Sequence, residues 1–295
     1  MTAEERARLM LLACIEGGSI FWSTEIATHG AIAMVDRIKG GFYSGKKESA
    51  NLISALMKTL NEDYLEEELD RYQCQLLIPS SDLWPQMLND LAAPPFALIY
   101  QGDISLTSER SIAIVGTRNP TSYGSRTSSE LAANLSDRDW GVVSGGAYGI
   151  DTAAHRGSLA AEGRTISVLG SGIVAGYPAG NQKLFAEIAD AGVLISEVMP
   201  LVKAMPYRFL ARNRIIAALS HGTVVVEAAY RSGSLRTANV ANQLHRRVMA
   251  VPGQISMPTS DGCHRLIIDR EAELITSVGD IMELVETPLN ATIGI

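Results

Sequence analysis

Three times within about 60 residues the sequence runs from an apolar stretch into a glycine turn. Ile112-Ala113-Ile114-Val115 meets Gly116-Thr117-Arg118, Trp140-Gly141-Val142-Val143 meets Ser144-Gly145-Gly146-Ala147-Tyr148-Gly149, and Ile166-Ser167-Val168-Leu169 meets Gly170-Ser171-Gly172. The second turn opens directly into a helix-forming stretch, Ile150-Asp151-Thr152-Ala153-Ala154-His155. Strand, glycine turn and helix in that order form the repeating unit of a parallel α/β sheet. Glycine also leaves backbone amides uncovered at a helix N-terminus, where orphan N–H groups and the positive end of the dipole favour an anion. One such turn is weak testimony, but three along one sheet edge suit a ligand with several phosphates or an open anionic surface.

The alternation continues to the end of the chain. Candidate strands are 111–116, 141–145, 165–170, 192–196, 222–227 and 247–251, mostly continuous apolar runs, as parallel strands covered on both faces require. Helices are expected between them at 122–137, 150–162, 181–190, 208–219, 232–245 and 278–285. The fold class is therefore α/β: an extended Rossmann-like doubly wound sheet, mostly parallel, with ligands beyond the carboxyl ends of its strands. A small helical domain precedes it over residues 1–72, where Glu5 to Cys14, Ile32 to Ile38 and Leu52 to Leu60 have helical apolar spacing. The domain 73–295 begins with a bridging segment, 73–108. There Leu76-Leu77-Ile78, a helix around Trp84 to Leu91, and Pro94-Pro95 lead into Leu98-Ile99-Tyr100.

Bulk properties narrow the function. No apolar run approaches the length of about 18 residues that a membrane span needs. The N-terminus Met1-Thr2-Ala3-Glu4-Glu5-Arg6 is acidic, unlike a secretory signal. Cys14, Cys74 and Cys263 are widely spaced, as reduced cytoplasmic thiols are, and make no metal motif. The net charge is −7, yet residues 201–250 hold Lys203, Arg208, Arg212, Arg214, Arg231, Arg236, Arg246 and Arg247 against one acid, Glu227. That asymmetry is a directed field, which total charge conceals. A dinucleotide site wants G-x-G-x-x-G on the first strand, where Gly116-Thr117-Arg118-Asn119-Pro120 offers one glycine and a cation. No Gly-Lys-Ser/Thr follows any of the turns, so a Walker loop is absent too, and no cofactor is expected.

The motifs in series resemble the DprA (Smf) family of DNA-processing proteins. They comprise Val115-Gly116-Thr117-Arg118, Ser144-Gly145-Gly146-Ala147-x-Gly149-Ile150-Asp151, Tyr177-Pro178-x-x-Asn181, Phe209-x-x-Arg212-Asn213-Arg214, Ser232-Gly233-Ser234-Leu235-x-Thr237, Val251-Pro252-Gly253 and Gly262-Cys263-His264. The likeness runs from about residue 76 to the end of the sheet domain. It implies a cytoplasmic, non-enzymatic, dimeric protein that binds single-stranded DNA without sequence preference. It also implies loading of the RecA recombinase in natural transformation, and a sterile-alpha-motif-like domain over residues 1–72. Many members carry a C-terminal winged-helix domain, which is not expected here because the sequence ends at Ile295. Arg270-Glu271 stands where the family commonly has glycine.

Candidate DNA-binding residues are Gly116, Thr117, Arg118, Ser144, Gly145, Gly146, Lys183, Arg212 and Asn213. Arg118 can grip a phosphate or form a salt bridge across the sheet edge. The turn residues offer backbone and hydroxyl donors. Lys183 lies near Tyr177 and Phe185, a cation beside stacking surface, although Phe185 at helical spacing with Leu184 and Ile188 reads as core. Arg212 and Arg214 should face different sides of one helix, and Asn213 is a site residue or a buried hydrogen-bonding group. His264, Ile267 and Leu274 are the candidate dimer or partner surface, within an apolar segment that can equally pack onto the sheet. A second reading makes the chain a phosphoribohydrolase-like nucleotide hydrolase with Glu227 as acid or base. Against it, Glu227 can simply orient Arg212 or Arg214. His155 is expected to be structural.

Overall fold

The computed structural model describes residues 1–41 and 47–287. Five helices come first: α1 Ala3–Cys14, α2 Ile20–His29, α3 Ala31–Lys39, α4 Lys47–Thr59 and α5 Glu62–Arg71. Polar caps start several of them. Thr2 and Glu5 form a reciprocal capping box at α1, and the Ser19 and Asn61 side chains accept from first-turn amides of α2 and α5. Neither α2 nor α5 was expected from apolar spacing. Ile20-Phe21-Trp22 is a continuous apolar run, and α5 is acidic, with only Leu65 and Leu69 buried.

Among the described residues nine strands form one sheet, in the order β1-β2-β6-β5-β4-β3-β7-β8-β9. They are β1 Gln75–Leu77, β2 Leu98–Gly102, β3 Ser111–Val115, β4 Gly141–Ser144, β5 Thr165–Leu169, β6 Val193–Ser196, β7 Gly222–Val225, β8 Arg247–Ala250 and β9 Glu273–Leu274. Strands β3 to β9 pair in parallel, while β1 and β2 join antiparallel beside β6. The bridging segment thus extends the sheet by two strands, and its helix near Trp84 is a 3₁₀ turn at Gln86–Asp90.

Helices α6 Ser122–Ser136, α7 Ile150–Ala160 and α8 Gln182–Ala191 follow β3, β4 and β5. Helix α9, Pro206–Ala218, carries the chain from β6 back across the sheet to β7, with proline at its first position, where no amide partner is lost. Then come α10 Ser234–Gln243, α11 Asp261–Ile268 and α12 Val278–Glu286. Alternate strand residues point to opposite faces. Ile112, Ile114 and Val142 pack with α6, α7 and α12, whereas Ala113, Val115 and Val143 pack with α9, α10 and α11. The segment at 262–274, expected to be an apolar stretch without assigned structure, is α11 and the short edge strand β9.

The position 72 boundary falls between α5 and β1 along the chain, but the apolar core crosses it. Leu9, Met10, Leu11, Met34 and Leu69 share one cluster with Ile99, Leu194, Phe185 and Ile188. The strand order reverses between β3 and β7, and the crevice beyond their carboxyl ends is where an open α/β sheet places its ligand.

Candidate nucleic-acid interface

A cleft of about 220 Å³ opens at this reversal. Its walls are the end of β3 (Gly116, Thr117, Arg118), α9 (Phe209, Leu210, Arg212, Asn213), Ala147 and Asp151 at the start of α7, and Ser232, Gly233, Ser234 and Thr237 at the start of α10. Gly116 is required by close approach, since a Cβ there would stand 2.6 Å from Ile150 and 2.8 Å from the Glu227 carbonyl. The Thr117 amide donates to that carbonyl at 2.7 Å, so it serves the fold and is closed to a ligand. Arg118 is exposed, with its guanidinium 5.1 Å from the centre of the Phe209 ring. No salt bridge holds it among the described residues.

Arg212 is buried at 6% exposure, and one guanidinium nitrogen donates to the Val168 carbonyl at 2.8 Å. Burial pushes its pKa down to about 10, opposed by the Asp151 carboxylate and reinforced by Arg118. Its Nε has no partner. Asn213 donates to the Gly233 carbonyl at 3.2 Å and so ties α9 to the start of α10. It is thus both a cleft residue and a buried hydrogen-bonding group. Arg214, two residues on, faces away as expected and pairs with buried Glu197 at 2.5 Å.

The turn after β4 departs from its expected role. The Ser144 hydroxyl is fully buried and donates to the Ile114 carbonyl at 2.6 Å, so it is no ligand donor. The Gly145 and Ala147 amides donate to the Asp151 carboxylate at 3.2 and 3.3 Å. The anion under this turn is the chain's own. Gly145 is needed because Arg212 lies directly upon it, and Gly146 because its φ is +69° and Phe185 and Ser167 crowd it. Both glycines shape the cleft; their amides do not line it.

Lys183 is exposed on the first turn of α8 and stands outside the cleft. A neighbouring groove of about 690 Å³ shares Arg118, Phe209 and Leu210 with the cleft and adds Tyr177 and Lys203. Tyr177 is half exposed, its ring 5.5 Å from that of Phe209. Phe185, by contrast, is core. Phe209, Asp151 and the Ser232–Thr237 turn were absent from the sequence-derived site. All of them stand in the motif series that carries the family resemblance, but nothing in local spacing brings them to one cleft.

The basic window also shrinks on folding. Arg208 pairs with Glu16, Arg214 with Glu197, and Arg246 with Asp90 and the Ser220 carbonyl, while Arg247 donates to the Leu284 carbonyl. Lys203, Arg231 and Arg236 stay exposed. Glu227 orients neither Arg212 nor Arg214. Its carboxylate accepts from the Thr121 amide at 2.9 Å and hydroxyl at 2.5 Å, and it lines a separate hollow with Tyr123 and Pro252. On the candidate partner surface, His264 Nε2 meets Gly253, and Ile267 packs half-buried against the sheet core, whereas Leu274 is 50% exposed. Ile267 is thus half-buried against the core, while its neighbour Ile268 is 71% exposed.

Fold and cleft together define a Rossmann-like α/β protein with a cationic, aromatic-lined crevice at its switch point and no dinucleotide fingerprint. Residues 75–286 match the DNA recombination-mediator protein A family, and the chain belongs to it. The DNA processing protein DprA of Bacillus subtilis is 37% identical over 255 residues, which cover 80% of this chain and 86% of that one. A Mycobacterium tuberculosis relative is 44% identical over 232 residues. There the matched part of the chain spans 59% of the relative's length. Among solved structures, DNA processing protein A from Streptococcus pneumoniae superposes with a TM-score of 0.82 at 29% identity, covering 96% of this chain and 98% of that one. DNA processing protein A from Helicobacter pylori, whose structure was described for its single-stranded DNA binding mode, gives 0.66 at 30% identity over 72% of this chain and 94% of that one. Among the described residues no helix is long and apolar enough to cross a membrane.

Proposed function

We propose that this chain is a DNA-processing protein that binds single-stranded DNA along the cleft and its neighbouring groove, without sequence preference and without catalysing a reaction. One observation carries the reading: the two depressions share Arg118, Phe209 and Leu210, so cleft and groove run into each other and form one path, not a single closed pocket. Two cations, Arg118 and Lys203, and two aromatic rings, Phe209 and Tyr177, line it, and a single-strand binder needs both to hold phosphates and stack bases of any identity. Glu227, held through both oxygens by Thr121 and turned to another hollow, supports the non-enzymatic reading over a nucleotide hydrolase.

Family membership and the Helicobacter pylori structure support the same ligand. Within this reading the chain works in the cytoplasm as a homodimer and delivers single strands to the RecA recombinase during natural transformation. Fluorescence anisotropy with labelled single-stranded and duplex oligonucleotides tests the ligand. Single strands should bind more tightly, with log affinity falling against log salt by about 0.7 per phosphate contact. Arg118→Ala should weaken binding by about 1–3 kcal/mol with an unchanged melting temperature. Affinity that ignores both salt and Arg118 would refute the assignment.

A further inference from the structure

We propose that Tyr207 and Arg208 form a second contact for single-stranded DNA, which Glu16 of the helical region covers in the DNA-free chain. The proposal rests on the single-strand reading above. Glu16 lies in the turn between α1 and α2. Its carboxylate accepts from the Tyr207 hydroxyl at 2.9 Å and from Arg208 Nε at 3.0 and 3.2 Å, with Arg208 Nη2 also bound. Arg208 Nη1 donates to the Lys203 carbonyl at 2.6 Å, so the pair sits directly behind a residue that lines the groove. The Arg208 guanidinium also lies 5.3 Å from the Tyr207 ring. A cation beside a half-exposed aromatic ring is the combination that the groove already uses at Arg118 and Phe209.

The arrangement suits displacement. The Glu16 side chain is 48% exposed while that of Arg208 is 17% exposed, so the carboxylate can swing into water and leave its guanidinium facing an incoming phosphate. An ion pair at the surface contributes at most about 1 kcal/mol, which a phosphate can replace. The backbone below need not move. Gly17 lies against the Glu197 carboxylate and Gly18 against Arg214, with a Cβ there 3.2 Å from Nε, so the turn packs directly on the buried Glu197–Arg214 pair.

Glu16→Gln tests this with two oligothymidylates, one just long enough to fill the cleft and one reaching past Lys203. The longer probe should bind roughly three- to fivefold more tightly to the variant. The shorter should be unaffected, and adding Arg208→Ala should abolish the gain. Unchanged or weaker binding of the long probe by Glu16→Gln, or a gain that persists without Arg208, would overturn the proposal. Should Glu16→Gln lower the melting temperature, Arg208→Ala alone decides: it should weaken the long probe and spare the short one, and equal effects count against the contact. Wild-type protein that binds neither probe, or binds both regardless of Arg118→Ala, would instead remove the single-strand reading itself.

Discussion

A carboxylate sits where the glycine turn after β4 could have held a phosphate, and this exchange explains much of the site at the residue scale. Asp151 gathers the Gly145 and Ala147 amides, and Arg212 lies against the same turn. Burial raises the Asp151 pKa and lowers that of Arg212, while their opposite charges act against both shifts. Beneath them His155 is fully buried, 2.7 Å from the Thr165 hydroxyl. That hydroxyl donates its one proton to the Val142 carbonyl, which assigns the His155 hydrogen to Nδ1 and leaves Nε2 bare. Burial first, and Arg212 second, push the His155 pKa from 6.5 to about 3. Between those values the unfolded chain binds a proton that the folded chain refuses, so stability should fall with acid by up to about 1.4 kcal/mol per pH unit. Asp151 works in the opposite sense, because its raised pKa lets the folded state keep a proton longer. Comparison with His155→Leu isolates the histidine: denaturant unfolding of the variant should lose stability less steeply below pH 6.5. Parallel pH profiles would show that His155 carries no such penalty.

At the scale of elements, several helices end in the same way without glycine. Gln73, Glu162, His245 and Arg270 follow α5, α7, α10 and α11 with φ between +52° and +59°. After α11 the Glu271 amide donates to the Leu266 carbonyl at 2.8 Å and the Arg270 amide to Ile267 at 3.1 Å, a Schellman closure that wants a left-handed residue. The resemblance expects glycine near Arg270, and the backbone there supplies the reason. Arg270→Gly should relieve left-handed strain, less the entropy that glycine loses on folding, for a net gain of about 0.5–1 kcal/mol. Calorimetry should show a melting temperature raised by about 1–3 °C, and a lowered one would contradict the account. Helix α5 and strands β1 and β2 escaped the sequence reading for a related reason. Their apolar signals are short, and they are stabilised by docking onto an existing core.

At the scale of the whole molecule, the sheet ends in β9, whose outer edge is unpaired among the described residues, with Leu274 and Ile268 exposed beside it. An exposed edge with apolar side chains favours pairing with a second copy about a two-fold axis. On the homodimer reading proposed above, Leu274→Glu combined with Ile268→Glu should give a folded monomer by light scattering, with weaker binding of long single strands, since two grooves would then not share one ligand. A folded dimer of unchanged mass would place the interface elsewhere. The alternation of apolar runs and helices, the glycine turns and the ordered motifs are local properties, so strands β3 to β8, their crossover helices and the place of Arg118 at the carboxyl edge of the sheet were legible in the residues alone. Strand order and the fate of each charge were not, because both depend on what lies opposite once the sheet is built. Arg208 meets its carboxylate 192 residues away at Glu16, and Glu227 meets Thr121 at a separation of 106. Arg212 is turned inward by Asp151 and the Val168 carbonyl. Local periodicity determined the elements of this protein; long-range pairing of buried and half-buried charges decided which of its cations remain for a ligand.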